Sequence, residues 1–135
     1  MQDSIASIVQ EANAAIVGAG DMSSIPRFFS ADYVAHGTEG DPVRGHAAIQ
    51  RTVERWHRAF PDMSAEVEIL IEASDRVAWQ RTLRATQEGA YAGFPATGRR
   101  LVWRDMVTSR FEGDLIAEEW VVSDLAEQLL RARKG

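Results

Sequence analysis

The hydrophobic period of this chain changes at Pro61, and that change limits the folds open to it. Before Pro61, apolar residues recur every three or four positions, the spacing of one helix face. Ile5, Ile8, Val9, Ala12 and Ile16 form a first stripe, with Ser4 placed to cap it and Gly18 to stop it. Asp21 to Phe29 reads as a short helix starting near Ser24, because Pro26 fits only a first turn. Tyr33 to His36 reads as a brief strand, ended by Gly37 and a loop to Gly45. A longer helix from His46 to Phe60 carries Ile49, Val53, Trp56 and Phe60 on one side, and Pro61 closes it.

After Pro61 the period falls to two. Val67, Ile69 and Ile71 alternate with Glu66, Glu68 and Glu72, as in a strand with one wet face. Further strands are predicted over Val77–Gln87, Leu101–Phe111 and Leu115–Ser123, the last two joined by a tight turn at Glu112-Gly113-Asp114. Tyr91–Gly98 is a Gly/Pro loop, and Leu125–Arg133 a terminal helix. Helices followed by a run of antiparallel strands define an α+β fold: a strongly curved sheet with helices on its concave face. Such a sheet encloses a cone-shaped cavity, apolar with a few convergent polar groups.

Composition narrows the chemistry. The length of 135 residues, 45% hydrophobic, suits a single domain over residues 1–135 that needs no covalent staple. There is no cysteine, which excludes a thiolate nucleophile, a disulfide framework and Cys-based metal sites. Twenty acidic against 15 basic residues give a net charge of −5, the wrong sign for a nucleic-acid partner. No apolar run approaches a membrane span, and the acidic start lacks a secretion signal's basic region, so a cytoplasmic protein with no membrane partner is expected. The three histidines have no metal-ligand spacing, and neither a dinucleotide nor a phosphate-loop motif is present. Side chains alone must then carry any reaction.

Strand parity selects the candidates. On Leu101–Phe111 the more apolar face holds Trp103, Val107 and, among them, Asp105. On Leu115–Ser123 the Trp120 face holds Glu118 and Val122 and continues to Asp124; its Trp argues that this face points inward. The Trp79 face of Val77–Gln87 also carries Arg81. A carboxylate among apolar groups must be paired or put to use, since burial penalises its charge. For Asp105 the structural alternative is a salt bridge to Arg81 or Arg104; for Asp124 it is a cap on the helix at Leu125. His36 ends the first short strand beside Tyr33, where a hydrogen-bonded core histidine is the structural alternative. Trp56, Trp79 and Trp120 are core material that would also wall a pocket for a flat ring system, with Tyr33, Phe60, Arg81 and Val107 as further substrate contacts.

Four segments together carry a family resemblance. Asp32-Tyr33-Val34-Ala35-His36, Ala59-Phe60-Pro61-Asp62, Gly93-Phe94-Pro95-Ala96-Thr97-Gly98 and Glu118-Glu119-Trp120-Val121-Val122-Ser123-Asp124 resemble the SnoaL-like polyketide cyclases. The resemblance implies the cone-shaped α+β barrel of nuclear transport factor two and ketosteroid isomerase. It implies a metal- and cofactor-free intramolecular aldol closure of an aromatic polyketide, with Asp124 as acid/base and His36 in the same pocket. Asp105 is the third candidate catalytic residue. The substrate would be a small, mostly apolar, carbonyl-bearing molecule. Two positions depart from the pattern: many members have Gly-Thr-His where this chain has Ala85-Thr86-Gln87, and Glu-His-Trp where it has Glu118-Glu119-Trp120. A cofactor-independent hydroxylase, an epoxide hydrolase and a non-catalytic small-molecule binder remain alternatives on the same scaffold. The outward face bearing Val102, Met106 and Thr108 predicts a homodimer.

Overall fold

The computed structural model describes residues 4–38 and 40–134. The acidic start Met1–Asp3 lies outside them, as do Glu39 and Gly135. Helix α1 (Ile5–Ala12) begins on Ser4, whose Oγ accepts the Ser7 amide at 3.1 Å. It then widens into a π-helical turn, Asn13–Gly18, instead of running on as regular helix. After a single 3₁₀ turn, α2 (Ile25–Phe28) takes Pro26 into its first turn, where the missing amide costs nothing. Strand β1 (Phe29–His36) follows, then the two-residue β2 (Val43–Arg44), which the pattern does not signal. Helix α3 (Gly45–Ala59) precedes the strand run: β3 (Ser64–Glu72), β4 (Arg76–Thr86), β5 (Arg100–Glu112) and β6 (Leu115–Ser123). Helix α4 (Leu125–Lys134) is the last element in chain order.

The strands form one six-stranded sheet in the order β2-β1-β6-β5-β4-β3. Every neighbouring pair is antiparallel except β1 and β6, so the sheet is mixed. The all-antiparallel expectation fails at that pair because β1 reaches β6 by a long crossover through α3 and three strands, not by a hairpin. The helices lie over one face, and the core divides in two. One part joins α1 and α3 to Trp79, Val107, Phe111 and Ile116. The other joins Leu125 and Leu129 of α4 to Phe60, Leu83, Leu101 and Trp103.

Parity holds along β4 and β5, where Trp79, Arg81, Trp103, Asp105 and Val107 are all buried on the inner face. It breaks on β6. Phe111 pairs with Ile116 but Arg110 pairs with Glu118, so Ala117 is an extra, bulged residue. Counting from Ile116, the bulge turns Glu119, Val121 and Ser123 inward and Glu118, Trp120 and Val122 outward. The expectation that Trp120 faces inward is therefore corrected, and a one-residue insertion is the cause.

Candidate active site

Helices and inner sheet face enclose a cavity of about 430 Å³. Its walls are mainly apolar, among them Val9, Ile16, Ile49, Val53, Trp56, Trp79, Trp103 and Leu129. Tyr91, Ala92 and Phe94 belong to the lining too. Tyr91 is held from α3, where Trp56 Nε1 donates to its hydroxyl at 3.1 Å and the Arg55 guanidinium covers its ring. Ala92 takes φ of 50° and Gly93 φ of 85°, the left-handed pair that lets the Tyr91 and Phe94 backbones pair back on each other. Buried Gln87 anchors the same loop: its amide donates to the Pro95 carbonyl at 3.1 Å and accepts from Thr97 at 3.0 Å.

Two polar clusters interrupt the apolar wall. In the first, Arg81 and Asp105 are directly paired across β4 and β5. Arg81 Nε and Nη2 both donate to Asp105 Oδ2, at 3.1 and 2.7 Å. Its Nη1 donates to Asn13 Oδ1 at 2.9 Å, while the Asn13 amide nitrogen donates to the Val9 carbonyl at 2.9 Å. The guanidinium also lies 5.2 Å from the ring centres of both Trp56 and Trp79. Asp105 is only 2% exposed, and its Oδ1 has no partner among the described residues. An Arg–carboxylate pair normally closes as a two-oxygen fork. Here the fork grips one oxygen and leaves the other free.

The second cluster centres on Glu119. Tyr33 Oη donates to Oε1 at 2.6 Å, Ser109 Oγ donates to Oε2, and Trp79 Nε1 donates to Ser109 at 2.9 Å. Burial pushes the Glu119 carboxyl up from the usual range, against the pull of Ser109, Tyr33 and Arg81. Burial, and then the Glu119 charge, push the Tyr33 phenol well above its ordinary value.

The structure thus brings Tyr33, Trp56, Trp79, Arg81 and Asp105 together around the cavity. It places five other candidates elsewhere. Phe60 and Val107 are buried behind the lining, Phe60 against Trp103 with ring centres 4.8 Å apart. His36 and Trp120 stack on each other outside the cavity, and His36 Nε2 meets Glu118 Oε2 at 2.7 Å. Asp124 accepts the Arg104 amide on Oδ1 at 2.7 Å and the Gln128 side chain on Oδ2 at 3.2 Å. Its carboxylate ties the end of the β5–β6 pair to α4 and is not part of the cavity lining; the helix amide at Leu125 goes to Ser123 Oγ instead. For His36 and Trp120 the cause is the Ala117 bulge and the surface side of β1 that they share.

Glu119, Asn13 and Trp103 were not among the expected site residues. For Glu119 the signal was its departure from the family pattern. For Asn13 it was a lone amide at helical spacing from Val9 and Ile16, on an otherwise apolar face.

An α+β cone with helices over its inner face and buried acids in an apolar cavity defines a small-molecule pocket protein. The chain belongs to the SnoaL-like polyketide cyclase family, whose model matches residues 7–131. Among solved structures it is similar to AclR, a proposed hydroxylase from Streptomyces galilaeus, at 32% identity over 97% of this chain and 85% of that one, with a TM-score of 0.81. IdmH, a proposed polyketide cyclase from Streptomyces antibioticus, shares 24% identity over 98% of this chain and 100% of its own, TM-score 0.84. A proposed SnoaL-like cyclase from Jannaschia sp. CCS1 shares the fold with a TM-score of 0.85 at 19% identity, covering 100% of this chain and 99% of that one. No curated protein sequence matches. No helix among the described residues is long and apolar enough to cross a membrane.

Proposed function

We propose that this protein is an enzyme that removes a proton from a carbonyl-activated carbon of a flat, mostly apolar, polyketide-type substrate, with Asp105 as the base. One observation carries this reading: Arg81 holds Asp105 Oδ2, while the buried Oδ1 keeps its lone pairs unengaged in the cavity wall. A base in a water-poor site needs a fixed orientation and a free acceptor, and this carboxylate has both. Trp56 and Trp79 stack on the rings. The α-proton between two carbonyls is already acidic, so one positioned base suffices and no cofactor is invoked.

In the cyclising reaction, Asp105 takes the proton and the enolate carbon attacks a second carbonyl of the same molecule. A carbon–carbon bond forms and an alkoxide results. Glu119, which burial shifts toward holding its proton, gives that alkoxide a proton; as product leaves, Asp105 releases its proton to solvent and Glu119 takes one up from solvent, which restores both groups. The 32% identity to AclR favours a second reading, in which the same carbanion adds molecular oxygen to form a hydroperoxide, and a two-electron reductant from solution, a thiol or hydroquinone, cleaves the O–O bond to leave the hydroxyl and water.

Proton exchange in heavy water separates these possibilities. The wild type is expected to wash the α-hydrogens out of a bicyclic β-ketoester faster than buffer does, and Asp105→Asn to slow that washout by about 100-fold. A wild type no faster than buffer overturns the proposal. Oxygen uptake accompanying turnover selects hydroxylation over cyclisation.

The proposal includes a cytoplasmic homodimer packed through the convex sheet face. Val102, Met106, Val122 and Trp120 are 39%, 46%, 64% and 37% exposed there, with Met106 directly opposite Val122. Light scattering at tens of micromolar should give twice the chain mass, and Met106→Asp should halve it.

A further inference from the structure

Two buried polar atoms of β5 have no hydrogen-bond partner among the described residues, and both residues line the cavity: Trp103 Nε1 and Asp105 Oδ1. We propose that they act as a donor–acceptor pair selecting ligands that carry a carbonyl oxygen and, on the same ring skeleton, a hydroxyl or activated C–H. The inference deepens the reading of the cavity as a substrate pocket and rests on it.

Folded proteins leave few buried polar atoms unpaired, and those that remain call for an explanation. The remaining one here, Ser30 Oγ, does not line the cavity. The other cavity indoles are committed, since Trp56 donates to Tyr91 and Trp79 to Ser109. Trp103 is 1% exposed and Asp105 2%, so bulk water reaches neither freely. An indole N–H only donates and a carboxylate oxygen only accepts, so the two ask for different groups on a ligand. Residues two apart on a strand share a face with Cα atoms about 7 Å apart, within the span of a fused bicycle and its substituents. Both groups are also fixed in place. Phe60 packs on the Trp103 ring, and Arg81 holds the other oxygen of Asp105. A site built to hydrogen-bond a polar substituent discriminates against its absence more sharply than an apolar wall reads size.

The test reads binding alone, with naphthalene, 1-tetralone and 6-hydroxy-1-tetralone titrated into wild type and Trp103→Phe. In the wild type, affinity is expected to rise about tenfold from naphthalene to the ketone and again to the hydroxyketone. Trp103→Phe should erase the first step while holding naphthalene affinity within about threefold and leaving the second step intact. Equal wild-type affinities for all three overturn the proposal, with no variant needed. So does a Trp103→Phe protein that weakens all three alike. Turnover plays no part, so a protein that binds in the expected order but exchanges no α-hydrogen defeats only the catalytic proposal.

Discussion

Glu118 and Glu119 are consecutive on β6, yet their carboxyls are shifted in opposite directions. Glu118 points to the outer face, where the His36 hydrogen bond, and then Arg110, hold it below the usual carboxylate range. Glu119 points into the cavity wall, where burial holds it above. A lowered folded value means that the Glu118 contribution to stability is present above its unfolded value, about 4.3, and is lost as pH falls through the folded value. A raised value means the reverse: the Glu119 contribution is complete below about 4.3 and is lost as pH rises through the folded value. Urea midpoints between pH 3 and 8 should therefore respond oppositely. Glu118→Gln should flatten the loss on the acid side, and Glu119→Gln should flatten the decline above it. Parallel changes in the two variants would contradict the bulge-set division of faces.

The placement of Asp124 leads to a different expectation from that of a catalytic base. Asparagine retains an oxygen for the Arg104 amide, so Asp124→Asn should leave stability within about 0.5 kcal/mol. Alanine strands that amide and should cost about 1 kcal/mol. In both variants turnover should stay within about threefold of wild type, whereas a true base would drop it by about 100-fold. A normally melting but inactive Asp124→Asn would return proton transfer to Asp124.

The architecture was legible because period and parity are local. The switch at Pro61 marks where helices give way to strands, and alternation along β4 and β5 assigns Trp79, Arg81 and Asp105 to the inner face. The site was legible only where parity survives. Ala117 adds one residue to β6, and nothing in Leu115-Ile116-Ala117-Glu118 distinguishes a bulge from a continuing strand. One unseen residue exchanged the roles of Glu118 and Glu119 and carried Trp120 to the surface. The parallel β1–β6 pairing is non-local, so no short window contains it.

Tryptophan fluorescence checks the resulting geometry. Trp56, Trp79 and Trp103 line the cavity, while Trp120 stacks on His36 and beneath Arg76 outside it. A planar quinone that enters should quench most of the emission saturably. Trp120→Phe should leave the quenched amplitude unchanged, and Trp79→Phe should reduce it. Loss of quenching in Trp120→Phe would place the ligand on the convex face.

Asn13 provides the most discriminating variant, because the free oxygen of Asp105 depends on how Arg81 is held. Nη1 is engaged by Asn13, and the guanidinium lies between Trp56 and Trp79, so the fork stays on Oδ2. The amide is suited to this position: its nitrogen must face the Val9 carbonyl while its oxygen faces a guanidinium. Asn13→Leu removes the acceptor and strands a buried Nη1, at a cost of about 1–2 kcal/mol. Arg81 is then expected to slide into the ordinary two-oxygen pairing and occupy Oδ1. Turnover should fall by about 100-fold, well beyond the roughly tenfold rise in KM expected once Oδ1 no longer accepts from the substrate. Asn13→Asp keeps an acceptor for Nη1 but sets an oxygen against the Val9 carbonyl, so it should melt lower yet work faster than the leucine variant. A crystal structure of Asn13→Leu reads the Arg81 shift directly, without a substrate. An unmoved guanidinium, or activity that follows melting temperature across the two variants, would reduce Asn13 to a packing residue.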